Sequence, residues 1–205
     1  IIKICDRNFI GCDQLIFIKK NFKLEFYNSD GSISGACGNG TRCVADLLSK
    51  ENGDKEVMLW TSTGQLKSKI LGNNIVETEI GIPKTNWKEI PLSKNLDTKN
   101  LKIKILSKNN SEFIGGTAIN VGNPHIIFFV KNIEDYDLKK IGPQIENHEY
   151  FPEKCNLTLA KVINKNLIKV NVWERGAGLT KACGTAACAT AVAGNINGLT
   201  DKKTD

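Results

Sequence analysis

Two segments of this chain lie over each other without a gap. Each runs from a strand-like stretch, through a loop, into a helix-like run of small and aliphatic residues. They span 28–37 and 174–183. The first ends Ala36-Cys37-Gly38-Asn39-Gly40, the second Ala182-Cys183-Gly184-Thr185-Ala186. Each opens on a polar residue, Asn28 or Glu174, nine positions before its cysteine. A repeat of this kind calls for two pseudo-equivalent halves, each presenting one thiol at a strand-loop-helix junction. The halves are expected to span 1–105 and 106–205, with the boundary between Ile80 and Gly116.

Short strand-like runs bounded by Gly, Asn or Asp turns dominate the rest, among them 14–19, 22–27, 56–61, 66–71, 125–130, 157–163 and 168–173. Helix-like patterns are few: 38–49, 184–195 and, between them, 138–147. The expected class is α+β, two pseudo-symmetric halves, each a mostly antiparallel sheet wrapped around a central helix.

Composition narrows the function. The 28 basic and 22 acidic residues leave a net charge of +6, but the lysines are scattered among acids, which argues against a nucleic-acid partner. No run approaches the roughly 18 apolar residues of a membrane span. Seven cysteines, an odd number without dense spacing, fit reduced thiols and a cytoplasmic setting. The chain starts at Ile1 and its one methionine is Met58, so it reads as a fragment.

A cysteine at a helix start sits near unpaired N–H groups and the positive end of the helix dipole, which favours thiolate. Cys37 and Cys183 are therefore the candidate proton-transfer groups. The amides of Gly38, Asn39, Gly184 and Thr185 are candidate binders of a substrate carboxylate. One such group on each face of a carbon is what inversion by deprotonation and reprotonation requires. Only Arg7, Arg42 and Arg175 are arginines; Arg175 is a candidate carboxylate clamp, and its neighbour Glu174 a candidate receiver of an ammonium group. Arg42 is expected to be structural, and Cys43 and Cys188 to pack within their helices. The spacings of the cysteines, with only His125 and His148 as histidines, do not suit a metal.

With these residues in view, the chain resembles the diaminopimelate epimerases over nearly its whole length. The resemblance rests on Asn28-Ser29-Asp30-Gly31-Ser32, on Cys37 to Cys43, on Gly122-Asn123-Pro124-His125, and on Glu174-Arg175-Gly176-Ala177-Gly178 leading into Ala182-Cys183-Gly184-Thr185. It implies a cofactor-independent enzyme interconverting LL- and meso-diaminopimelate, with Cys37 and Cys183 exchanging thiol and thiolate roles. It also implies that Gln14, Asn28, Asn123 and Asn156 contact substrate, and that His125 orients or packs beside the site. Relative to that family, the first strand and last strands are missing, the turn Asn8-Phe9-Ile10-Gly11 is short, and Ala186 stands where glycine is usual.

Three alternatives remain: another amino-acid racemase of this fold, a catalytically silent fragment that only binds ligand or partner, and a thiol hydrolase using Cys183 with His125. A homodimer is the assembly to test.

Overall fold

Alternation sets the first half of the chain. In the computed structural model, which describes residues 1–35, 37–62 and 64–205, the contacts divide the chain into units Ile1–Gly81 and Ile82–Asp205. In the first unit, β1 (Gln14–Lys19), β2 (Lys23–Asn28), β4 (Glu56–Thr61), β5 (Gly64–Gly72) and β6 (Ile75–Thr78) lie in that order in one sheet, and β3 (Ile33–Ser34) pairs with β2. All neighbours are antiparallel except β2 and β4, joined in parallel at Lys23 and Trp60. Successive strand side chains point to opposite faces, so Leu24 and Phe26 of β2 and Val57 and Leu59 of β4 share one face. That face packs on Val44, Ala45 and Leu48 of helix α2 (Gly38–Asn52), preceded in the chain by the short helix α1 (Ile2–Cys5). Gly53, at φ 79°, stops α2 in the left-handed conformation that glycine adopts without strain.

The second unit is layered differently. Its main sheet has the order β13 (Gly178–Thr180), β12 (Leu167–Glu174), β11 (Asn156–Asn164), β10 (Pro124–Phe129), β9 (Thr117–Asn120). β7 (Ile103–Leu106) and β8 (Glu112–Gly115) form a separate antiparallel pair. β10 and β11 are parallel, connected through helix α3 (Leu138–Glu146); the other pairs are antiparallel. A parallel pair needs cover on both faces, and β10 accordingly buries its first five residues in a row. Ile126 and Phe128 pack with Ile141 and Ile145 of α3, while the alternate residues His125 and Ile127 are equally buried on the other face. Helix α4 (Gly184–Ile196) runs beside β9, β10 and β11 and buries its small face, Ala186, Ala189 and Ala193. Among the described residues no helix is long and apolar enough to cross a membrane.

Candidate active site

The first unit gathers three of the expected residues at the start of α2. Cys37 is the residue before the helix, and its sulfur accepts a hydrogen bond from the Gly40 amide at 3.3 Å. Glycine is required at that position, because a Cβ on residue 40 would stand 2.3 Å from Ile16 Cδ1 and 2.9 Å from Cys37 Sγ. An N–H aimed at sulfur from a helix start favours negative charge there. Gln14 lies two residues before Ile16, hence on the same face of β1, and donates from Nε2 to Asn28 Oδ1 at 2.9 Å. Asn28 in turn donates from Nδ2 to Ser32 Oγ. Helical geometry leaves the Gly38 and Asn39 amides without an intrahelical acceptor, and Arg42 donates to Asn39 Oδ1 at 2.7 Å. The packing expected of Cys43 is not found: its position on α2 faces solvent. Ala36, the first residue of the Ala-Cys motif, lies outside the described residues.

The second unit places Cys183 in the corresponding position before α4, but in another environment. No capping hydrogen bond is formed by its sulfur, although the Ala186 amide, in the place that the Gly40 amide has in the first unit, lies near it. Burial, together with the charge of Glu174 and its carboxylate accepting from the S–H, pushes the Cys183 thiol up to about 11. The Thr185 hydroxyl, 3.4 Å from Sγ, and a weak pull from the Ala186 amide oppose this without overcoming it. The thiolate expected from the helix start is therefore overruled at Cys183. Desolvation and a neighbouring carboxylate outweigh the dipole.

Glu174 and Arg175 sit in the turn between β12 and β13, held by backbone. The Arg175 amide donates to Asn156 Oδ1 at 2.9 Å, and its guanidinium donates from Nη1 to the Glu153 carbonyl at 2.8 Å. Among the described residues neither Glu174 nor Arg175 belongs to an ion pair within the chain. Asn156 is buried and gives Nδ2 to the Pro124 carbonyl at 3.0 Å, so most of its amide braces this turn. His125 is fully buried, with Nε2 2.8 Å from Asn123 Oδ1; Asn123 thus orients the ring. Burial and then Arg175 push His125 down to about 3, so it stays neutral and is too weak a base for the hydrolase alternative. Of the other thiols, Cys155 is buried and driven upward by desolvation, donating to the Ile145 carbonyl at 3.4 Å. Among the described residues no cluster of His, Cys, Asp or Glu could hold a metal.

The fold of these sheet-and-helix units is shared with proteins of known structure. A predicted epimerase from Pseudomonas aeruginosa matches with a TM-score of 0.57 at 13% identity, over 91% of this chain and 67% of its own. A PhzF-family phenazine biosynthesis protein from Bacillus anthracis matches with a TM-score of 0.55 at 12% identity, over 88% of this chain and 64% of its own. At such identities the likeness establishes the fold alone. The sequence establishes the family: this chain belongs to the diaminopimelate epimerase family, whose model matches residues 1–85 and 117–205. The diaminopimelate epimerase of Pelagibacter ubique is 77% identical over 100% of this chain and 76% of that protein. Those of Acidiphilium cryptum and Rhodospirillum centenum are 39% and 38% identical, over 99% and 97% of this chain and 73% and 69% of theirs.

Proposed function

We propose that this chain is an isomerase that epimerises diaminopimelate, LL to meso, by proton transfer between Cys37 and Cys183. The 77% identity over the whole chain supports the reaction. The observation that carries the mechanism is that each helix-start sulfur lies by the amide three residues on, Gly40 for Cys37 and Ala186 for Cys183, with the Glu174 carboxylate also beside Cys183. In one direction the Cys37 thiolate takes the α-proton and the Cys183 thiol delivers a proton to the opposite face of the planar carbanion; in the other direction the roles reverse. The negative charge that grows on the substrate carboxylate meets the amides of Gly38, Asn39, Gly184 and Thr185. Arg175 and Glu174 take a carboxylate and an ammonium group of the substrate, and Gln14, Asn28 and Asn123 supply donors and acceptors to its polar ends. Asn156 contributes mainly by bracing the Arg175 turn. No cofactor takes part in this scheme.

The substrate is a small amino acid, and the proposal includes no nucleic acid or membrane partner. A cytoplasmic, lysine-forming role fits the free thiols, and a homodimer remains to be read by light scattering.

The test is α-proton exchange followed by NMR, with LL-diaminopimelate in deuterated water and reductant. Deuterium at the α-carbon together with meso product is expected. Meso product without solvent deuterium, or neither product, would refute this reading, the latter in favour of a chain that only binds.

A further inference from the structure

The Glu174-Arg175 turn is gripped from behind by a buried carboxylate that the reaction scheme does not use. Glu146, the last residue of α3, is 7% exposed. Its Oε2 accepts from the Trp173 indole Nε1–H at 2.8 Å, and its Oε1 accepts from the Gly176 amide at 3.1 Å. Those two donors flank Glu174 and Arg175 in sequence. Gly142 lies one helical turn before Glu146 on the same face of α3. A Cβ there would stand 2.3 Å from Trp173 Cδ2, so the glycine lets the indole lie flush against the helix. Two successive amides of the turn, Arg175 and Gly176, are thus captured by buried side chains, Asn156 and Glu146.

We infer that Glu146 is a positioning residue for substrate binding: its carboxylate, bridging Trp173 and Gly176, fixes the turn that presents Glu174 and Arg175. The inference rests on the proposed role of Arg175 as a substrate clamp. A carboxylate offers only acceptors, and both are used here by N–H donors. Glutamine has the same shape but one acceptor, so it must turn an NH₂ toward one of the two donors. The turn is then free to move, and Glu174, whose carboxylate accepts from Cys183, moves with it.

The experiment compares kcat and KM for LL-diaminopimelate in the wild type, Glu146→Gln, Arg175→Lys and the double variant, with thermal melting of each. Glu146→Gln is expected to raise KM about tenfold, the effect of leaving one buried donor unpaired, with kcat falling by a smaller factor. Added to Arg175→Lys it is expected to raise KM by less than about twofold, because both changes act through the same contact. Glu146→Asp, which withdraws the carboxylate without removing its charge, serves where Glu146→Gln does not fold, with the same direction. A lowered melting temperature with wild-type KM for the Glu146 variants, while Arg175→Lys raises it, overturns the inference, as does a KM effect that multiplies fully in the double variant. A wild-type KM for Arg175→Lys overturns the clamp itself and the inference with it.

Discussion

The starts of α2 and α4 are built from the same sequence pattern and surround their cysteines differently. At α2 a glycine three residues on lets an amide reach the sulfur of Cys37; at α4 that place is Ala186, no cap forms, and Glu174 stands beside Cys183. A repeated motif thus supplies position, while charge and burial around it decide protonation.

The comparison can be broken at several points. Replacing either Cys37 or Cys183 by Ala should reduce epimerisation by about 10²–10⁴-fold, the usual worth of a positioned acid or base; a variant of either retaining wild-type turnover would remove that thiol from the reaction. Gly40→Ala should cost about 1–3 kcal/mol of stability by overpacking against Ile16. It should also slow alkylation of Cys37, as measured by denaturant melts and mass spectrometry. Glu174→Gln should let Cys183 titrate below its present value of about 11, since a negative neighbour that accepts from the S–H is removed; an unchanged titration would leave burial as the sole cause. Ala186→Gly should shift Cys183 in the same direction by less, at a cost of about 1 kcal/mol in helix stability.

Strands β1 and β4 lie where the strand-like runs between turn residues put them, and α2 and α4 begin at the glycines that follow each cysteine. The strands Ile33–Ser34, Glu112–Gly115 and Gly178–Thr180 were not legible, being two to four residues long and defined by their partners rather than by a pattern of their own. The second unit's parallel pair was also invisible, since a strand buried on both faces carries no alternation. At the site, the cysteines, glycines and the Glu174-Arg175 pair stand out in sequence because they recur in a repeat. The high pKa of Cys183 does not, because it depends first on burial and then on a carboxylate nine residues away. Nor does Glu146, whose neighbours Trp173 and Gly176 meet it only through the packing of α3 on β12 and β13.

The inequality of the two thiols is tested most directly by alkylating the ligand-free protein with iodoacetamide across pH and following Cys37 and Cys183 separately by mass spectrometry. Cys183 should stay protonated and slow through neutral pH, gaining reactivity only as the pH rises toward about 11. A Cys183 that reacts fully at neutral pH would contradict the account.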